Sequence, residues 1–105
     1  MIRIMLSCAG GFSTSLLVTK MQEAAKEQGV ECEIWAIGES GIEKELGNFD
    51  IVMLGPQIRF KLAAVKKLLA GKYPVEVIEM RDYGTMNGAN VFAAAMKLYN
   101  EFYNK

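Results

Sequence analysis

The segment from residue 7 to residue 15 combines a cysteine, small residues and hydroxyl side chains, and this combination can bind and transfer a phosphoryl group. Its small residues allow backbone N–H groups to point into one concavity. The helix that we expect to begin at Ser13 adds unpaired N–H groups and the positive end of its dipole. Together with the hydroxyl groups, these donors form a cradle for a phosphoryl dianion. The predicted phosphate-binding residues are Ala9, Gly10, Gly11, Phe12, Ser13, Thr14 and Ser15.

Cys8 stands at the entrance to this cradle, where the same dipoles stabilise a thiolate. A thiolate beside an anion site predicts nucleophilic attack on phosphorus and a phosphocysteine intermediate, with Cys8 as the catalytic residue. The same residues also fit a cysteine that only packs at the end of a strand, followed by a tight turn. Neither G-x-G-x-x-G nor the P-loop ending Gly-Lys-Ser/Thr is present, so these residues do not indicate a nucleotide site.

The composition is that of an ordinary globular protein, and we expect one domain over residues 1–105. Hydrophobic residues make up 51% and charged residues 23% of the chain. Twelve basic residues balance twelve acidic ones, which argues against nucleic acid or an anionic membrane as a partner. With no histidine and no C-x-x-C pair, we expect no metal site and no cofactor. No apolar run approaches the roughly 20 residues that span a bilayer, so we expect a cytoplasmic location.

Short apolar runs alternate along the chain with amphipathic stretches. Strands are predicted at 2–7, 31–37, 51–54 and 75–79, and helices at 13–28, 39–46, 58–69 and 91–102. This order predicts an α/β three-layer sandwich in which a four-stranded parallel sheet, in the flavodoxin-like order 2-1-3-4, carries helices on both faces. Ligands bind such sheets beyond the carboxyl ends of the strands, where residues 8–14 would meet Gly55-Pro56-Gln57.

Three segments together resemble a known family, the IIB component of the lactose/cellobiose class of the sugar phosphotransferase system. They are Cys8-x-x-Gly11-x-Ser13-Thr14-Ser15-Leu16-Leu17, Leu54-Gly55-Pro56-Gln57 and Pro74-Val75-Glu76-Val77-Ile78. The resemblance implies a cytosolic phosphotransferase. Its cysteine, Cys8, would accept a phosphoryl group from a phosphohistidine of the IIA partner and pass it to a sugar held by the membrane partner IIC. A cellobiose, lactose or other β-glucoside type of sugar would fit. Family loops often carry Met where this chain has Phe12.

A second reading is a low-molecular-weight tyrosine phosphatase, whose similar loop reads Cys-x5-Arg. Thr14 stands at the arginine position and offers one neutral donor in place of a guanidinium. Asp82 is the candidate for the acid that a phosphatase needs, although a solvated loop aspartate would look the same. The missing arginine predicts slow attack by water and a long-lived phosphocysteine, as a carrier requires. A third reading is a non-catalytic interaction module.

Because the chain has no histidine, the donor imidazole must come from another protein. We therefore expect an open, shallow surface around Cys8 that two partners contact in turn. Candidate partner contacts are Phe12, Ile58 and Tyr83, with core packing as the default for Ile58.

Several further residues are candidates for contact with the phosphoryl group. They are Gln57 and Tyr83. The cations Arg59 and Lys61 could attract either the phosphoryl group or an acidic partner. Gln57 could equally cap the next helix, and the two cations could equally form a solvated helix face. Cys32 is expected to pack within its strand.

Overall fold

The computed structural model describes residues 1–8, 12–38 and 41–104, without the side chains of residues 12 and 13. Within these ranges, β-strands alternate with helices along the chain. The strands are β1 (Ile2–Cys8), β2 (Cys32–Gly38), β3 (Ile51–Leu54) and β4 (Val75–Val77). The α-helices are α1 (Phe12–Glu27), α2 (Leu62–Leu69), α3 (Met80–Gly84) and α4 (Gly88–Tyr103). Short 3-10 helices lie at Glu43–Glu45 and Pro56–Lys61.

The four strands form one parallel sheet in the order β2-β1-β3-β4, which confirms the predicted topology. The two inner strands, β1 and β3, are the most continuously apolar, and all four residues of β3 are buried. Strands that are covered on both faces need this composition, because neither face meets water.

A separate apolar core lies on each face of the sheet, so the predicted three-layer arrangement is also confirmed. On one face, Leu17 and Met21 of α1 and Phe92 of α4 pack with Ile4 and Leu6 of β1. On the other face, residues of α2 and the neighbouring segments pack against β1 and β3, and this core contains Met5, Phe49, Val52, Leu54, Val65 and Leu69. Alternate side chains of β1 therefore point to opposite faces of the sheet and contribute to both cores.

The structure differs from the sequence prediction after β3 and after β4. The predicted helix over 58–69 divides, because Ile58 has non-helical φ/ψ angles of −116° and 25° and α2 begins only at Leu62. The predicted strand over 75–79 ends at Val77, and the unpredicted helix α3 follows. Glu79 begins α3 by accepting a hydrogen bond from the backbone N–H of Asp82 at 3.1 Å. Of the helix predicted over 39–46, the described part contains the 3-10 turn Glu43–Glu45.

Candidate functional site

Cys8 is the last residue of β1, and it lies beside the segment that leaves β3. Ser7 pairs with Leu54 across the two inner strands, and the backbone N–H of Gly55 donates to the carbonyl of Ser7 at 2.8 Å. The carboxyl ends of β1 and β3 thus bring Cys8 to the Gly55-Pro56-Gln57 turn. This is the position at which open parallel sheets bind ligands.

Gly55 leaves room for the sulfur of Cys8. A Cβ atom at position 55 would overlap Cys8 Sγ and would lie 2.7 Å from Oε1 of Gln57. Gly55 has ordinary extended φ/ψ angles of −62° and 147°, so the requirement for glycine is steric rather than conformational. The same geometry brings the exposed Gln57 side chain back beside Cys8.

The thiol itself is covered. Cys8 is 2% exposed and belongs to the apolar core that contains Ile4 and Leu6. The open surface that we expected around Cys8 therefore does not reach the sulfur in this structure.

The described residues include exposed apolar side chains that the sequence prediction missed. Phe60, three residues after Gln57, is 75% exposed, and Leu16 in α1 and Met80 at the start of α3 are 51% and 58% exposed. Phe60 falls outside the helical stripe of Ile58, Leu62 and Val65, and this was the signal that could have identified it as a surface residue.

The predicted phosphate loop is described only in part. Ala9, Gly10 and Gly11 lie outside the described residues, as do the side chains of Phe12 and Ser13, so the roles assigned to them stay predictions. Two residues of the loop are described fully. Ser15 is exposed, and its carbonyl accepts a hydrogen bond from Thr19 at 3.2 Å. Thr14 is completely buried, and its Oγ1 lies 3.4 Å from the hydroxyl of Tyr83.

The remaining candidates divide into buried and exposed residues. Tyr83 is 7% exposed and Ile58 is 2% exposed, so both are core residues rather than partner contacts. Asp82 is half-buried and accepts a hydrogen bond from Asn90 of α4 at 3.0 Å. Arg59 is exposed and Lys61 is half-buried, as expected for cations on a helix surface.

The second cysteine is poorly suited to nucleophilic chemistry. Cys32 is half-buried in β2, and burial raises the pKa of its thiol. A raised pKa leaves less thiolate at neutral pH, and the thiolate is the reactive form.

The described residues contain neither a group of side chains that could hold a metal ion nor a helix that could span a membrane. No group of three His, Cys, Asp or Glu residues in 1–8, 12–38 and 41–104 is arranged to hold a metal ion. Over the same ranges, no helix has the length and apolar character needed to cross a bilayer.

Known proteins resemble this chain over nearly its whole length. Residues 3–94 match the family model described as "PTS system, Lactose/Cellobiose specific IIB subunit". The galactose-specific EIIB component of Lactococcus lactis subsp. cremoris is 46% identical over 103 residues, covering 92% of this chain and 95% of that relative. The oligo-beta-mannoside-specific EIIB component of Bacillus subtilis is 42% identical over 100 residues, covering 93% and 96%. The cellobiose-specific EIIB component of Lactococcus lactis subsp. lactis is 45% identical, covering 92% and 95%.

Solved structures agree with this likeness. The lactose-specific IIB domain from Streptococcus pneumoniae has the same fold, with a TM-score of 0.83 at 16% identity over 93% of this chain and 97% of that one. The cellobiose-specific IIB component from Borrelia burgdorferi gives a TM-score of 0.79 at 37% identity over 95% and 93%. On this fold and this likeness, the chain belongs to the lactose/cellobiose-specific IIB subunit family of the sugar phosphotransferase system, whose members are phosphotransferases.

Proposed function

We propose that this chain is a phosphocarrier in sugar uptake and that Cys8 carries the phosphoryl group. The observation that carries the proposal is the position of Cys8, at the carboxyl end of an inner strand and against Gly55, immediately before the loop that leads into α1. Membership of the IIB family supports the same reading.

The proposed transfer consists of two successive nucleophilic displacements at phosphorus. In the first, the Cys8 sulfur attacks the phosphoryl group of a phosphohistidine on IIA, so that an S–P bond forms and the P–N bond breaks. The imidazole leaves with the proton that the thiol gives up. In the second, a sugar hydroxyl attacks the same phosphorus, the S–P bond breaks, and the thiol regains a proton from that hydroxyl. The loop at 9–15 is proposed to stabilise the equatorial oxygens in both steps.

Two features favour transfer to a sugar over hydrolysis. Thr14 occupies the place of the phosphatase arginine, so no guanidinium at this position promotes attack by water. Asp82, the candidate acid, accepts a hydrogen bond from Asn90 and links α3 to α4. The proposed phosphocysteine therefore persists until an acceptor binds.

The proposal includes two protein partners and a cytoplasmic location, both supported by the family. IIA supplies the phosphoryl group, and IIC holds the sugar. The three relatives are named for three different sugars at 42–46% identity, so we assign the choice of sugar to IIC rather than to this chain.

The test is intact-mass spectrometry of the chain after incubation with phosphoenolpyruvate, the general relay proteins and IIA. We expect the mass of one phosphoryl group to be added to the wild type and to Cys32→Ser, and none to Cys8→Ser. Removal of the donors should leave the modified protein stable in buffer until IIC and sugar are added.

Three results would contradict the proposal in different ways. If Cys8→Ser is still modified, the phosphoryl group is carried by another residue. If Cys32→Ser is not modified, Cys32 rather than Cys8 is the carrier. Rapid loss of the group in buffer, with release of inorganic phosphate, would favour the phosphatase.

A further inference from the structure

The carboxamide of Gln57 lies beside the sulfur of Cys8. Oε1 of Gln57 lies 2.7 Å from the position that a Cβ atom on Gly55 would occupy, and Cys8 Sγ overlaps the same position. Apart from Gly55 and its two neighbours in the chain, the three described atoms nearest to this point all belong to Cys8 and Gln57. The space that the glycine leaves open is therefore shared by a sulfur and a carboxamide.

A tight turn fixes the backbone from which the Gln57 side chain starts. The backbone N–H of Ile58 donates to the carbonyl of Gly55 at 3.0 Å, and Pro56 occupies the second position of this turn, which its fixed φ angle suits. Pro56 and Ile58 are both buried, and Gln57 between them is the one exposed residue of the segment 51–58. Gln57 is thus the polar surface residue at the carboxyl end of β3.

The structure does not show Gln57 in the capping role that was the alternative for it. Within the described residues, no side chain caps the start of the 3-10 helix Pro56–Lys61 or the start of α2. An exposed glutamine is free to extend into water, which solvates its donors and its acceptor equally well. The Gln57 carboxamide lies instead against Cys8, which is 2% exposed, and so forms part of the cover between the sulfur and the solvent.

A carboxamide can adapt to a sulfur that gains and loses an anionic group. Its oxygen accepts hydrogen bonds, its nitrogen donates two, and half a turn about the last side-chain bond exchanges them. A thiol is a weak donor, whereas the oxygens of a phosphoryl dianion accept. Those oxygens would be separated from the Cys8 sulfur by the phosphorus atom alone. They would therefore be within reach of a side chain that already lies beside this sulfur.

From this geometry we propose that Gln57 binds the anionic group held at Cys8, by donating a hydrogen bond from Nε2 to one of its oxygens. The inference rests on the proposed function for the identity of that group as a phosphoryl group. The donor comes from the connection between β3 and α2 and not from the loop at 9–15. Because the carboxamide is neutral, it binds the phosphoryl group less strongly than a guanidinium would and leaves it transferable.

The test is the equilibrium of phosphoryl transfer between IIA and this chain, measured by intact-mass spectrometry of mixtures of known composition. Gln57→Met keeps the length of the side chain and removes the donor. At a given ratio of the two forms of IIA, the ratio of phosphorylated to unphosphorylated chain should fall about tenfold, because a hydrogen bond to a charged group is lost. Gln57→Glu also adds a negative charge beside the phosphoryl group, so the ratio should fall further.

The equilibrium separates binding of the phosphoryl group from docking of a partner. A residue that only contacts IIA changes the rate of transfer and leaves this ratio unchanged, because the complex of the two proteins stands on neither side of the equilibrium. Gln28 provides the matched control, since it is exposed and lies just beyond the end of α1 that is opposite Cys8. Gln28→Met and Gln28→Glu should keep the wild-type ratio. The melting temperature of the Gln57 variants should stay near that of wild type, because the side chain is exposed.

Inorganic phosphate probes the same side chain without transfer. An NMR titration of the reduced wild type follows the two side-chain N–H signals of Gln57, which are assigned by their loss in Gln57→Met. We expect these signals to move as phosphate binds. Gln57→Met should weaken phosphate binding by about tenfold, and Gln28→Met should not change it.

The outcomes distinguish the inference from the proposed function. If wild type accepts a phosphoryl group on Cys8 and Gln57→Met reaches the same ratio, the inference is wrong and the function stands. A loss that Gln28→Met shares, or that a fall in melting temperature accompanies, would also overturn the inference. If wild type accepts no phosphoryl group but phosphate binding depends on Gln57, the inference stands and the function is wrong. Absence of both transfer and phosphate binding would overturn both.

Discussion

At the scale of single residues, the tightest requirement in the site lies at Gly55 rather than at the cysteine it supports. A Cβ atom at this position would overlap Cys8 Sγ, so Gly55→Ala must displace either the sulfur or the Gly55-Pro56-Gln57 turn. We expect the substitution to destabilise the protein by roughly 1–3 kcal/mol. If Cys8 is the nucleophile, as proposed, a displacement of its sulfur by about 1 Å is enough to slow phosphoryl transfer by roughly 100-fold. Denaturant unfolding and the rate of transfer from phosphorylated IIA measure the two effects.

Gly38 provides the matched control for Gly55. It pairs with Cys8 from the other neighbouring strand, but a Cβ atom there meets no atom of the described residues within 4 Å. Gly38→Ala should therefore keep both stability and transfer near wild type. An equal loss in the two variants would show that any alanine near Cys8 is harmful and that the overlap with the sulfur is not the cause.

At the scale of elements, the packing of α4 on α1 depends on one glycine. A Cβ atom on Gly88, the first residue of α4, would overlap the backbone of Lys20 in α1, which cannot rotate away as a side chain would. Gly88→Ala should force the two helices apart and lower the free energy of unfolding by roughly 1–3 kcal/mol. Urea denaturation measures this change.

Gly84, at the end of α3, is the control at the same scale. Within residues 1–8, 12–38 and 41–104, a Cβ atom there meets no atom within 4 Å. Alanine favours a helix over glycine by up to about 1 kcal/mol. Gly84→Ala should therefore leave stability unchanged or raise it slightly. Similar destabilisation by both substitutions would refute the packing argument.

At the scale of the whole molecule, an ion pair ties the start of the chain to its middle. Arg3 donates to the two carboxylate oxygens of Asp50, from its backbone N–H at 2.8 Å and its guanidinium at 2.9 Å. Partial burial raises the pKa of Asp50, but the hydrogen bonds and charge of Arg3 outweigh it and hold the pKa of this carboxyl below its usual range. The ionised carboxylate therefore stabilises the folded state.

The pH dependence follows from the sign of that shift. A lowered pKa in the folded state gives stability that is complete above the unfolded pKa of about 3.9 and is lost as the pH falls through the folded pKa. Asp50→Asn should cost roughly 1 kcal/mol at neutral pH, allowing for the partial exposure of the pair, and the difference from wild type should narrow below about pH 4. Thermal melting from pH 7 to pH 3 measures it.

The exposed pair of Lys97 and Glu101, separated by 3.9 Å, offers a comparison for Asp50. Glu101→Gln should change stability little at any pH, because solvent screens such a pair. A constant difference between Asp50→Asn and wild type across this pH range would mean that the carboxylate charge is not what stabilises the fold.

The sheet and the position of Cys8 were predictable because local patterns determine them. The apolar run 51–54 and the cysteine before a glycine-rich helix start are visible without tertiary information. The contacts that complete the site are not local: Thr14 meets Tyr83 across 69 positions, and Gly55 meets Cys8 only because β1 and β3 are neighbours. Helix α3 has five residues, too few to show a helical period, so the sequence pattern could not reveal it.

The burial of the Cys8 sulfur has a consequence for how the partner proteins recognise this chain during the proposed transfer. The phosphoryl group proposed for Cys8 needs more space than the thiol proton that it would replace. The Cys8 residue is 2% exposed, and Gly55 lies against its sulfur. Phosphorylation of Cys8 would therefore displace the neighbouring atoms outward. We expect the phosphorylated and unphosphorylated proteins to differ in surface shape around Gln57. The donor IIA could then release the phosphorylated form, and IIC could bind that form in preference to the unphosphorylated one.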